Sequence, residues 1–498
     1  MLKSIDNSLN NLTMYRLVAY GLSGLAVLSL LLSLLGTLSL PISGMLLSLG
    51  LLLVGCFGVN WLMAHVWQVA ANSESWYITA LVLFFILPQA TDTKRAGFIF
   101  LAGAIAMVSK YVLAWNGKHI FNPAALAATT LSLSGLMGTT WWIGSSLLWP
   151  ITLVVGLVVA RKLRRFPLYL SFIAVSLLTT IVASLLRDID VMVALKSIVT
   201  ASPLLFLGGV MLTEPSTMPP IRRQQVIFAS LVAILYASQI SVAGNFIYPE
   251  LALLVGNLFA FAISPKYRLR LRLKEVQQLS DRISNYVFEP DRKLDFKAGQ
   301  YIEWTLPIGQ SIKTDDRGNR RTFTIASSPT EDTIQLGVKF YRPSSAFKQT
   351  LQTMKPDQYL YAGQLAGNFT LPHDATKKLV FVAGGIGITP FRSMLKYLID
   401  TDDKRDVTLL YLVNGPEEIV YKDILAQATK HGTTIIPVVA NGKTDIFNQT
   451  LLEDKLGDYQ NRTFYLSGPK PMVDHCKHTL LSLNIPRTHI ETDYFSGY

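Results

Sequence analysis

The stretch Leu379-Val-Phe-Val-Ala-Gly-Gly-Ile-Gly-Ile-Thr-Pro390 reads as a buried strand that runs into a glycine turn, with a helix beginning near Pro390. Glycines at such a junction let a phosphate approach the backbone where the free N–H groups of the helix start point at it. A glycine turn alone usually only reverses the chain; one placed between an apolar strand and a helix points to a dinucleotide. Around it, strand-like stretches such as Tyr301–Leu306, Thr333–Phe340 and Val407–Val413 are joined by Gly, Pro and Asp turns. Residues 266–374 therefore read as an all-β barrel, and 375–498 as an α/β domain in which strands alternate with helical patterns.

The first half of the chain has a different texture. Of the 498 residues only 16% are charged, and they are unevenly spread: Lys and Arg number 14 before residue 265 and 31 after it, Asp and Glu 7 and 26. An ordinary soluble chain is about 25% charged, so residues 1–265 are predicted to form an α-helical polytopic membrane domain. Apolar runs lie at 14–36, 44–67, 76–90, 96–114, 141–160, 167–186, 192–213, 224–242 and 246–264, several of them near the ~20 residues that cross hydrocarbon. Basic residues cluster at Lys94–Arg95, Arg161–Arg165 and Arg222–Arg223, while loops 68–75 and 242–246 carry no Lys or Arg. The positive-inside rule then puts the C-terminal half in the cytoplasm and the N-terminus outside, in a multi-pass protein of the inner or plasma membrane. Met1–Arg16 is polar and lacks the pattern of a cleaved signal peptide.

The formal charge of +12 fits cytoplasmic loops held against anionic lipid. No basic stripe interleaved with aromatics appears along the sequence, which argues against nucleic acid as a partner. Cys56 and Cys476 are the only cysteines, too few for the four that normally hold an iron–sulfur cluster, and no metal-ligand spacing is present. Electron chemistry here would use organic cofactors, haem, or a partner's metal.

Two membrane-half segments are too irregular for plain spans: Trp115–Ala125 and Leu212–Pro220. Non-helical backbone at membrane depth is tolerated only when buried in protein or lining a cavity. Asn122 followed by Pro123 reads as an N-cap and first helical residue, and a helix start inside a membrane domain suits an anion. Glu214 is either an acid in a cytoplasmic loop or a contact to a cofactor, proton or ion.

Three further stretches carry chemistry in the second half. Arg321-Thr-Phe-Thr-Ile-Ala-Ser-Ser-Pro329 offers a guanidinium for a pyrophosphate, a ring to stack on a flat heterocycle, and a hydroxyl at Thr324 for a ring nitrogen. Tyr465-Leu-Ser-Gly-Pro-Lys-Pro-Met472 ends a strand in a Gly-Pro turn, which in a parallel sheet faces the ligand crevice. The chain closes on Glu491-Thr-Asp-Tyr-Phe-Ser-Gly-Tyr498.

Taken together, Arg-x-Phe-Thr, Gly-Gly-Ile-Gly-Ile-Thr-Pro, Ser-Gly-Pro-x-x-Met and an aromatic tail resemble the ferredoxin–NADP reductase superfamily over about 268–498. The resemblance implies a β-barrel FAD-binding domain followed by an NAD(P)H-binding domain. It implies that Arg321, Phe323 and Thr324 bind FAD, with Thr324 near flavin N5, and that Ser344 and Ser345 make a second flavin-phosphate contact. Gly384, Gly385, Gly387 and Thr389 would hold the nicotinamide dinucleotide; Gly468, Pro469 and Met472 would line the nicotinamide side. Tyr494, Phe495 or Tyr498 would cover the flavin face, making Thr324 and Tyr498 the expected catalytic pair. Family members that prefer NADPH often carry Ser and Arg after the strand matching Thr408–Val413; here Asn414-Gly-Pro-Glu-Glu418 stands instead, favouring NADH over NADPH.

Val108–Ala125 and Met211-Leu-Thr-Glu-Pro-Ser-Thr217 resemble the RnfD/NqrB family, the membrane proteins shared by the Rnf complex and the Na⁺-translocating NADH:quinone reductase. That family surrounds a flavin within the membrane. Its covalent FMN hangs on a Thr in Asp-x-x-Ser/Thr-Gly-Ala-Thr, a pattern absent here; Asn122, Thr129 and Thr130 are the residues nearest to such a site. A haem relay would rest on His65 and His119, where two-haem relatives of the reductase module use four His. The function these features imply is a membrane oxidoreductase that passes electrons from NAD(P)H through FAD to a flavin, quinone or external acceptor. The competing readings are a transporter with a redox-sensing reductase module, and an anchored reductase that docks to a partner holding the acceptor.

Overall fold

The structure is a computed structural model. It describes residues 12–67, 74–115, 118–238, 241–242, 245–246, 248–264, 268–306, 319–341, 344–440 and 446–493. The chain divides into two compact units, Met1–Lys266 and Tyr267–Tyr498.

Unit 1 is helical. It contains α1 (Met14–Leu34), α2 (Ile42–Val66), α3 (Ser75–Ile86), α4 (Thr93–Val112), α5 (Pro123–Leu133), α6 (Trp149–Leu163), α7 (Phe166–Leu185), α8 (Val191–Thr200), α9 (Leu204–Met211), α10 (Arg222–Ala237) and α11 (Pro249–Ile263). Two short ribbons, β1 (Ala114–Trp115) with β2 (Lys118–His119) and β3 (Ser241–Val242) with β4 (Asn245–Phe246), complete it. Among the described residues, α1, α2, α4 and α7 are long and apolar enough to cross a membrane, and the bent pair α8–α9 makes a fifth. The sequence suggested nine runs, and three departures have clear causes. Helix α3 is short because it is a buried core rod: every side chain from Thr79 to Ile86 is buried. The run 192–213 breaks by 54° at Ser202-Pro203, where proline has no N–H to continue the helical ladder. The run 141–160 becomes helical only at Trp149; before it, Trp141 has a positive φ of 43°. Gly144 there abuts Ser202 so closely that a Cβ would lie 2.4 Å from its carbonyl carbon.

Unit 2 joins two sheets. β5 (Leu269–Ser280), β6 (Ile283–Pro290), β7 (Tyr301–Thr305), β8 (Arg320–Thr324), β9 (Ile334–Lys339) and β10 (Tyr359–Ala366), with helix α12 (Ala346–Gln352) between β9 and β10, form an antiparallel sheet in the order β8-β7-β10-β5-β6-β9. Its inward residues, among them Leu269, Leu271, Leu273, Ile302 and Trp304, alternate with exposed polar ones and build one core. The second sheet is parallel, in the order β13-β12-β11-β14-β15. Its strands are β11 (Leu379–Gly384), β12 (Val407–Val413), β13 (Thr434–Val439), β14 (Thr463–Ser467) and β15 (Ile490–Asp493), connected through helices α13 (Thr389–Asp400), α14 (Lys422–Lys430), α15 (Gln449–Lys455) and α16 (Lys470–Ser482). Strands β11 and β12 are buried along their whole length, as a parallel sheet covered on both faces requires.

Candidate functional site

β11 lies at the centre of its sheet with β14 beside it, so the glycine turn and the Gly468–Pro469 turn leave the same sheet edge together. A Cβ on Gly384 would sit 2.2 Å from Sδ of Met472; one on Gly387 would sit 2.3 Å from the Ser467 carbonyl. Only glycine allows this contact, and it brings Gly384, Gly387, Gly468, Pro469 and Met472 into one cluster at the carboxyl ends of two strands, where parallel sheets bind ligands. Gly385 has a φ of 51°, and a Cβ built there would meet only the Lys339 ammonium, at 3.9 Å. Thr389 is buried, its hydroxyl donating to the Ile386 carbonyl at 3.3 Å; its methyl lies against Gly337 of the barrel, where a Cβ would meet it at 2.7 Å.

Lys339 pairs with Glu418 at 2.5 Å. Glu418 also accepts hydrogen bonds from the backbone and side chain of Asn414. Burial by itself would raise the Glu418 carboxyl, but these donors outweigh it and hold it below the usual range.

In the barrel, Arg321 and Phe323 share one face of β8 and both meet the Phe347 ring of α12, at 5.5 and 5.7 Å. Thr324 ends the strand, buried, opposite Tyr301. Ser345 caps α12, accepting from Lys348 N, and the Ser344 hydroxyl donates to the Tyr341 carbonyl. The unexpected neighbour is Lys348. Its ammonium donates to the Lys339 carbonyl at 2.7 Å and pairs with no carboxylate among the described residues. Burial, with the Arg321 charge beside it, lowers it to about 8. Two cations gathered this way suit a pyrophosphate, so the residues present fit the phosphates of FAD.

A clamp that the sequence did not reveal joins the two sheets. Arg392, two residues beyond Pro390, grips Glu331 with both guanidinium ends and donates to the Ala326 carbonyl at 3.1 Å. Ser393 donates to the Ser327 carbonyl at 2.6 Å, and the Tyr421 hydroxyl donates to Asn285 at 3.1 Å. The turn after Thr324 is thereby bolted to the first turn of α13. Its only trace in sequence is an Arg-Ser pair after Thr-Pro, which has no meaning until the fold supplies Glu331. Tyr494, Phe495 and Tyr498 lie outside the described residues.

In unit 1 the two irregular segments meet. Asn122 caps α5 through the Ala125 N–H and donates to Glu214 at 2.8 Å; His119 Nε2 lies 2.9 Å from the other Glu214 oxygen. Asn257 of α11 accepts from Asn122 N at 2.8 Å and donates to the Thr217 carbonyl. Beside them opens a small cavity of about 50 Å³, partly open to solvent, whose lining includes Thr79, Asn122, Val210 and Glu214. Near it Lys110 donates to Ser75 and Thr79. Thr129 is buried with no partner for its hydroxyl among the described residues, whereas Thr130 is exposed and donates back to Leu126. Of the three residues nearest to a flavin site by sequence, only Asn122 reaches the cavity wall. Of the two histidines that a haem relay would need, His119 meets Glu214 through Nε2, and His65 stacks on Trp61.

Residues 381–478 match the profile of the oxidoreductase NAD-binding domain. The chain is similar to a flavohemoprotein of Bacillus thuringiensis subsp. konkukian (strain 97-27), 25% identical over 243 residues, which cover 45% of this chain and 59% of the relative. It is also similar to the NADH oxidoreductase HCR of Escherichia coli (strain K12), 26% identical over 197 residues, 39% of this chain and 58% of the relative. The chain thus spans little more than half the length of these relatives. Among solved structures, the FAD/NAD-binding domain of a nitric oxide dioxygenase from Vibrio cholerae O1 biovar El Tor aligns with a TM-score of 0.39 and 20% identity, over 46% of this chain and 98% of that one.

Proposed function

We propose that this chain is a single-polypeptide membrane flavoprotein oxidoreductase that takes electrons from NAD(P)H, NADH by preference, and delivers them through unit 1 to a flavin, quinone or external acceptor. The observation that carries the reading is the Arg392–Glu331–Ala326 clamp, because it fixes a flavin-type strand against a dinucleotide-type turn within one compact unit. The NAD-binding profile over 381–478 and the reductase relatives support the same donor.

In this reading Arg321 and Lys348 hold the pyrophosphate of FAD, and Thr324 hydrogen-bonds the ring edge. Gly384, Gly385 and Gly387 admit the phosphates of the dinucleotide, with Lys339 as the cation beside them. Met472, Gly468 and Pro469 form the wall of the nicotinamide pocket. Glu417 and Glu418 put negative charge where a 2′-phosphate would fall, which disfavours NADPH. Bound flavin supplies the conversion between hydride and single-electron transfer. Unit 1 would span the inner or plasma membrane with unit 2 in the cytoplasm, and the Asn122–Glu214 cavity is where an acceptor in the bilayer would be met.

The test is an anaerobic NADH titration of the purified protein, read by absorbance with cofactor analysis. Bleaching of one bound FAD is expected, and reduction of further flavin if unit 1 holds one. Protein that neither retains FAD nor oxidises NADH when FAD is added would overturn the reading. NADPH used as efficiently as NADH would overturn the preference alone.

A further inference from the structure

The exposed face of β5 and of Arg268 just before it carries Arg268, Arg270, Arg272 and Lys274 in alternation with the buried Leu269, Leu271 and Leu273. Cross-strand neighbours from β10 add aromatic faces that the linear sequence does not show. The Arg268 guanidinium stacks 3.8 Å above the Tyr361 ring and the Arg270 guanidinium 3.7 Å above the Tyr359 ring. The acids on this face are unevenly placed. Arg272 pairs with Glu289 and Asp357, Lys274 with Glu289, and Arg320 of β8 with Glu303. Arg268 and Arg270 pair with no carboxylate among the described residues. These two are also the members of the row closest in sequence to the apolar helix α11, which ends at Ile263. Only the four residues 264–267 intervene in sequence between Ile263 and Arg268.

We propose that the Arg268–Arg270 face with Tyr359 and Tyr361 is a docking surface for the headgroups of anionic phospholipids. The proposal rests on the reading of unit 1 as a membrane domain. A guanidinium can hold a lipid phosphate bidentately, and a tyrosine beneath it keeps an apolar body and a polar tip at the depth where membranes favour aromatic rings. The charge asymmetry fits this occupant. Where the row starts, the cations are uncompensated; farther along, they are neutralised by the protein itself. Such a contact would hold the reductase barrel against the bilayer surface and would weaken as salt screens it.

The two native cysteines are buried, so a cysteine at Thr305, cross-strand from Tyr361, can be labelled selectively. The full chain with T305C carrying a fluorophore is placed in nanodiscs of phosphatidylcholine, or of phosphatidylcholine with phosphatidylglycerol, each doped with a headgroup-nitroxide lipid. Quenching about threefold stronger in the anionic discs is expected. The difference should vanish in Arg268→Gln/Arg270→Gln, persist in Arg268→Lys/Arg270→Lys, and fade at 1 M salt. FAD content and ferricyanide reduction by NADH should be unchanged in both double variants, which shows that they fold. Equal quenching in the two lipids, or a difference that survives the glutamine variant, overturns the proposal. Protection of the fluorophore by an added acidic protein, with no lipid dependence, overturns it in favour of a protein partner. A chain that washes off membranes at alkaline pH sinks the membrane reading beneath it; a chain that stays embedded yet shows no lipid dependence sinks only the docking surface.

Discussion

Glu331 and Glu214 each tie together segments far apart in sequence, one in each unit, and their partners differ in kind. Glu331 is held by Arg392, whose charge is permanent and whose two-pronged grip is geometrically rigid. Glu214 is held by an imidazole and a neutral amide, His119 and Asn122, beside a cavity. The first arrangement fixes two binding surfaces at a set separation. The second leaves a carboxylate without a permanently charged partner among its hydrogen-bond donors, next to a cavity. A carboxylate's role is thus decided by the company it keeps, and the contrast can be broken experimentally.

The largest expected effect is on the clamp. Arg392→Ala leaves Glu331 without its guanidinium and should destabilise unit 2 by about 3 kcal/mol, the usual cost of orphaning a buried charge, seen as an earlier urea transition of the flavin signal. A loss below ~0.5 kcal/mol would mean the clamp is ornamental. Next, Arg321→Ala should weaken FAD binding to the apoprotein about 100-fold, the worth of two charge-assisted hydrogen bonds, measured by fluorescence titration.

Lys348 gives a pH signature. Its folded value of about 8 lies below that of a free lysine. The folded apoprotein therefore binds fewer protons than the unfolded chain between pH 8 and the ordinary lysine range, and stability rises with pH across that window. Holding a pyrophosphate requires the protonated form, so FAD affinity should fall by up to about tenfold per pH unit above pH 8. Lys348→Arg should flatten this dependence, and an unchanged slope in that variant would remove Lys348 from the site. The smallest effect is expected at Glu214: Glu214→Gln should slow reduction of a bilayer quinone by about tenfold while leaving ferricyanide reduction by NADH at its original rate. That ratio follows from losing a positioned proton acceptor rather than the reductase. Equal slowing of both reactions would make Glu214 a structural acid like Glu331.

Much of the architecture was legible along the chain because its signals are local. The strand at Tyr301–Leu306, the unbroken apolar run of β11 and the Asn122-Pro123 helix start each depend on neighbours a few residues away. Hydropathy reads composition, and does not distinguish the short buried helix α3 or the break at Pro203 from one long unbroken helix.

The sequence by itself determined the two-part composition, the order of strands and helices, and the glycine and Arg-x-Phe-Thr stretches, since each is set by backbone sterics and side-chain periodicity. Only the tertiary structure decided which charges act together. It seated Lys348 beside Arg321, closed Arg392 on Glu331, joined Asn122 to Glu214, and slid Tyr359 and Tyr361 under Arg270 and Arg268. Electrostatic and stacking interactions act over a few ångströms of space, whatever the distance along the chain, and folding alone sets that proximity.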